Sequence, residues 1–246
     1  MRRILFRIAG VPVYSYAAML YVGIVCGMGV QQWAAVRDGL DPMRVLIATI
    51  ALLVPALVGA RLLHVAMRWK LYRSDPRRIR NGFEGGAAMY GGLLLAVPLS
   101  VPVLATLALP FGAFWDGASL TMLVGMCWAR VGCLLNGCCS GRVTDGWLGL
   151  SLPDHRGRWA RRMPTQILEG IWGAIVLGGA IVLHDRLPFA GATFLYTVAA
   201  YSAGRIALER TRYHQDVAFG VALNGALSTM FIAVSLAAFA IVWLRL

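Results

Sequence analysis

Long apolar stretches broken by short, arginine-rich connections recur along the 246-residue chain, and their lengths match membrane spans better than the amphipathic helices of a soluble fold. A first span is predicted from about Tyr14 to Val36, with Tyr14, Tyr16 and Trp33 placed for interfacial anchoring. The charged start MRRILFR has the look of a signal peptide's first region, but no small-residue cleavage site follows, so it is read as the cap of that span. A second span runs from about Val45 to Met67, and a third opens in GGAAMYGGLLLAVPL, where Pro98 and the following Pro102 are expected to kink the helix. The fourth starts near Ser119, the fifth at MPTQILEG, the sixth covers about Phe189 to Leu208 and the seventh about Val217 to Leu244. The pattern predicts an all-α polytopic bundle of about seven transmembrane helices, one membrane-embedded domain over residues 1–246.

Composition supports that reading. Hydrophobic residues make up 59% of the chain and charged residues 14%, against an apolar share of roughly 45 to 50% in soluble domains. The net charge of +12 is carried almost wholly by arginine, Lys70 being the only lysine. Such charge beside a bilayer suits phospholipid phosphates, and nucleic acid is not expected as a partner. Five cysteines, Cys26 alone and Cys127, Cys133, Cys138 and Cys139 together, form an odd count that does not suggest a secreted disulfide framework.

The densest chemistry lies in RVGCLLNGCCSGR, Arg130 to Arg142. An unpaired arginine at membrane depth costs about 3 kcal/mol or more, so Arg130 marks a functional site, the plain alternative being a glycine-rich re-entrant bend. Elsewhere Arg61 and His64 share a helix face, and Arg68 to Glu84 forms a basic surface loop. Gly91 and Gly92 let backbones approach or leave room for a ligand. Pro164 fits a first helical turn, with Gln166 and Glu169 three apart and pointing the same way. Arg205, Glu209 and Arg212 line one charged face, as a site or as a structural ion-pair ladder.

RVGCLLNGCCSGR resembles the signature G-R-x-G-N-F-x-N-G-E-x-x-G-R of the bacterial prolipoprotein diacylglyceryl transferases. In the same order, GAR at Gly59 to Arg61, EGGAAMYGG, MPTQILE and GRIALERTR resemble further landmarks of that family, the last its R-x-x-x-E-x-x-R. The resemblance implies a multi-pass enzyme of the bacterial inner membrane that moves a diacylglyceryl group from phosphatidylglycerol to the thiol of a prolipoprotein signal peptide, without a cofactor. It implies catalytic roles for Arg130, Arg205, Tyr90 and Glu209, and substrate binding by Arg61, Asn136, Arg142, Gln166, Glu169, Arg212, Gly91 and Gly92.

The chain departs from the family pattern where the acceptor thiol must be activated: Tyr90 and Met163 stand at the two histidine positions, and Cys133 and Cys138 replace an asparagine and a glutamate. Two alternatives follow: a transferase with a different acceptor, and a non-catalytic or thiol-based protein that keeps the lipid-binding scaffold. Cys133, Cys138 and Cys139 lack the paired spacing of common zinc sites, so no metal is expected there, and a thiol role or simple packing is. Orientation also stays open. Basic residues concentrate on the side carrying the amino terminus and the motif, the other side receiving only Arg37, Arg44, Arg186 and Arg245. The positive-inside rule puts the motif side in the cytoplasm, whereas the resemblance implies the outer face.

Overall fold

The computed structural model describes residues 3–8, 10–75, 89–154, 157–212, 217–218 and 221–245. Its helices are α1 (Ser15–Arg37), α2 (Pro42–Met67), the short α3 (Trp69–Ser74), α4 (Met89–Thr106), α5 (Phe111–Asn136), α6 (Thr165–Leu183), α7 (Ala192–Glu209) and α8 (Leu223–Trp243). Helices α1, α2, α5, α6 and α8 are long and apolar enough to cross a membrane, and α4 is a shorter apolar helix. Helix α7 is less apolar because it carries Arg205 and Glu209. The all-α polytopic bundle is therefore as expected. The apolar pattern does not announce three antiparallel hairpins in the connections: β1 (Ile4–Ile8) with β2 (Val11–Tyr14), β3 (Leu150–Pro153) with β4 (Trp159–Arg162), and β5 (Val217–Ala218) with β6 (Val221–Ala222). Gly85 and Gly86 lie outside the described residues.

Helix boundaries have local causes. Asp41 caps α2, its side chain accepting the Met43 and Arg44 amides at 2.9 and 3.3 Å, and Pro42 occupies the first turn, where no amide is needed. Helix α5 starts at Phe111, eight residues before the expected Ser119. The difference turns on Asp116, which a hydrophobicity pattern excludes from a span but which is buried here. Its carboxylate accepts the Gly191 amide at 2.6 Å and the Phe194 amide at 2.8 Å, satisfying donors at the start of α7 that have no intrahelical partner.

Small residues set which helices touch. Helix α1 packs along α5, and α2 along α4. A Cβ on Gly59 of α2 would overlap the Gly91 carbonyl of α4, and a Cβ on Gly91 would overlap the Gly59 carbonyl. Gly92 approaches Ala56 in the same interface. Gln31 of α1 ties three helices, its Oε1 accepting from Thr49 of α2 at 3.1 Å and Thr121 of α5 at 2.9 Å. The outward side of α2, with Ile50, Val54 and Leu57 exposed, suits contact with lipid.

Candidate active site

At the end of α5 the chain reverses at Gly137, whose left-handed conformation (φ 71°) caps the helix. Three segments are then stitched together. The Gly141 amide donates to the Met163 carbonyl at 3.1 Å, the Arg142 amide to the Thr211 carbonyl at 2.9 Å, and the Met163 amide to the Arg142 carbonyl at 2.9 Å. Position 141 admits only glycine, since a Cβ would overlap Thr165 Oγ1 and the Met163 and Thr211 carbonyls. This knot fixes the end of α5, the start of α6 and the chain beyond α7 relative to one another.

Glu169, buried on α6, is the centre of what the knot assembles. Arg130 Nη1 of α5 meets its Oε2 at 2.8 Å. Arg205 Nη1 of α7 donates to Oε1 at 2.6 Å, and Arg212 Nη2, just past α7, donates to the same oxygen at 2.9 Å. Arg205 Nη2 also pairs with Glu209 Oε2 at 3.2 Å, without hydrogen-bond geometry. Three guanidinium groups thus face two carboxylates, and the Cys139 thiol is a further acidic group beside Arg130 and Arg212.

An open groove of about 430 Å³ lies between α5 and α6, lined by Arg130, Gln166 and the apolar Val131, Leu134, Ile167 and Ile171. Each of these two polar residues has one buried atom with no hydrogen-bond partner among the described residues: the donor Arg130 Nε and the acceptor Gln166 Oε1. The other end of the Gln166 amide donates to the Cys138 carbonyl at 2.8 Å, which fixes its orientation. Buried orphans cost stability unless a ligand completes them. The pair asks for a ligand that accepts at one point, donates at another and carries an apolar body.

The cysteines belong to the same place. The sulphurs of Cys133, Cys138 and Cys139 lie within 4.8 Å of one another. The Cys139 thiol is drawn well below the ordinary thiol range by hydrogen bonds from the Cys133 and Cys138 thiols and then by the charges of Arg130 and Arg212. Asn136, the last residue of α5, lies beside the Cys138 thiol.

Other anticipated residues stand apart. Arg61 lies over the Tyr72 ring of α3 at 5.4 Å, and His64 meets the same ring, so the two do share a face but outside the Glu169 cluster. Arg142 engages through its backbone while its side chain is exposed. Gly91 and Gly92 give their room to α2, so that helix fills the space read as a ligand's. The Tyr90 hydroxyl meets Ser228 Oγ at 2.6 Å and Ser202 Oγ at 3.5 Å, beside a small apolar cavity of about 30 Å³. Tyr201 lines that cavity and also interacts with Arg130, joining the two regions. The motif reading passes over Tyr201, although its place four residues before Arg205 on α7 puts it on the same helix face.

Fold and site together define a polytopic membrane protein in which three arginines gather on a buried glutamate beside an open, largely apolar groove. The chain belongs to the prolipoprotein diacylglyceryl transferase family, whose sequence profile matches residues 3–243. It is similar to phosphatidylglycerol–prolipoprotein diacylglyceryl transferase 2 of Clostridium perfringens, at 27% identity over 95% of this chain and 92% of that protein. It is also similar to the phosphatidylglycerol–prolipoprotein diacylglyceryl transferases of Dehalococcoides mccartyi, at 28% over 95% of this chain and 91% of the relative, and of Bacillus cereus, at 30% over 85% and 80%.

Proposed function

We propose that the protein transfers the diacylglyceryl group of phosphatidylglycerol to the thiol of a prolipoprotein cysteine at the bacterial inner membrane. The observation that carries this reading is the convergence of Arg130, Arg205 and Arg212 on Glu169 beside a groove whose orphaned atoms are Arg130 Nε and Gln166 Oε1. A phosphatidylglycerol headgroup offers phosphate oxygens to the arginine and a hydroxyl donor to the glutamine, with acyl chains for the apolar wall.

In the reaction the acceptor sulphur bonds to the terminal glycerol carbon of the diacylglyceryl group. The bond from that carbon to the phosphate oxygen breaks, and its electron pair leaves with glycerol phosphate. The phosphodiester carries one negative charge and the departing monoester a second, and guanidinium donors aimed at the phosphate counter the charge that develops during the step. Glu209 is the carboxylate assigned to take the thiol proton, because its Oε2 is held, among the described residues, only by the Arg205 ion pair at 3.2 Å without a hydrogen bond, whereas Glu169 is held by three arginines.

A second reading, a scaffold that binds the lipid without transferring it, is favoured by one observation: the tyrosine at a family histidine position has its hydroxyl on Ser228 rather than in the groove. Purified protein incubated with labelled phosphatidylglycerol and a cysteine-bearing signal peptide separates the two. Transfer that is lost in Arg130→Ala supports the enzyme; lipid binding with no turnover in the parent protein supports the scaffold.

A further inference from the structure

We propose that Cys133, Cys138 and Cys139 form a three-thiolate site for a thiophilic closed-shell cation of the copper(I) or zinc(II) type. The inference stands on the sulphur geometry and holds whether or not the transfer reading does. Cys133 is buried on the last turn of α5. The reversal at Gly137 brings the chain back, with the Cys138 amide donating to the Cys133 carbonyl at 3.1 Å. Cys139 then adopts a positive φ of 60°, which a residue with a Cβ seldom takes. Its neighbours hold it in that strained conformation, as is common where conformation serves a site. The three sulphurs end within 4.8 Å of one another although the sequence offers only a C-x4-C-C spacing.

That separation suits metal ligation. With metal–sulphur bonds of about 2.3 Å, thiolates around one ion sit about 3.8 to 4.0 Å apart, so only a modest closure is needed. A disulfide requires two sulphurs at about 2.05 Å and strands the third; all five cysteines are free thiols. No histidine or carboxylate joins the group among the described residues. Three sulphur donors without a fourth protein ligand match ions that accept three thiolates or leave one position open, and soft donors select copper(I) and zinc(II) over harder cations. Three thiolates around a monovalent or divalent ion retain negative charge, and Arg130 and Arg212, both electrostatically coupled to Cys139, offset it.

The test uses the full-length protein in detergent, reduced, desalted without oxygen and titrated with cadmium(II), then with copper(I) against a chromogenic chelator. Expected is one cadmium per chain with an ultraviolet thiolate-to-metal band, and affinity reduced at least about tenfold in Cys138→Ser/Cys139→Ser. Cys26→Ser/Cys127→Ser should bind as the parent does, and monodisperse elution confirms that each variant is folded. Tighter retention of zinc than of copper against matched chelators assigns the site to zinc(II), and the reverse to copper(I). Equal binding by a Cys133/Cys138/Cys139 triple serine variant overturns the site, as does the absence of a band in folded protein. Fewer than five reactive thiols in protein purified without reductant, with no metal bound, replaces it with a disulfide.

Discussion

Arg130 and Glu169 meet at 2.8 Å across the α5–α6 interface, and the same carboxylate holds Arg205 and Arg212. One buried anion thus keeps three cations together. Replacing it by Glu169→Gln leaves Arg205 with Glu209 alone and removes the carboxylate shared by Arg130 and Arg212 in a low-dielectric setting, and should destabilise the protein by about 3 to 5 kcal/mol. Thermal unfolding in detergent measures this; an unchanged midpoint would show that the arginines repartner without Glu169.

Arg130→Lys should insert and fold but lose most transfer, because an ammonium group cannot supply the planar fork and the Nε donor together. Turnover of labelled phosphatidylglycerol checks it, with elution profile as the folding control. Normal turnover in this variant would remove Arg130 from the headgroup site.

Gly91→Ala should weaken the α2–α4 contact, its Cβ meeting the Gly59 carbonyl, by about 1 to 3 kcal/mol. The midpoint should fall while the affinity for phosphatidylglycerol of the remaining folded protein is kept. Loss of lipid affinity at parental stability would return Gly91 to the ligand site.

Tyr90→Phe removes a hydroxyl held by Ser228 at 2.6 Å and should cost about 1 kcal/mol while turnover persists. A variant of parental stability with no turnover would make Tyr90 the proton acceptor in place of Glu209.

Transfer to a lipoprotein cysteine requires the motif side to lie at the outer face of the membrane, against the distribution of basic residues. With other cysteines removed, Ser74→Cys should react with an impermeant thiol reagent on intact cells and Arg186→Cys should not. The opposite pattern would place the site in the cytoplasm and exclude a lipoprotein acceptor. Arginines gathered for lipid phosphate explain why the charge count and the topology can disagree, since the rule reads loop charge and not ligand demand.

The spans themselves were legible in the sequence, because crossing a bilayer is a requirement on each segment alone: enough consecutive apolar residues and interfacial anchors at the ends. The expected Tyr14–Val36 and Val45–Met67 lie close to α1 and α2, and MPTQILEG does open α6. Arg130, Gln166, Glu169, Arg205, Glu209 and Arg212 were each recognisable because charge and amide groups in apolar surroundings need a reason. Their arrangement was not. That Glu169 gathers three arginines, that Asp116 serves α7 from inside α5, that Gly91 meets Gly59 and that three cysteines share one point depends on which helices touch and at what rotation. Those contacts join residues far apart in the chain, where close packing and the satisfaction of buried polar groups decide the partner, and no local pattern encodes that choice.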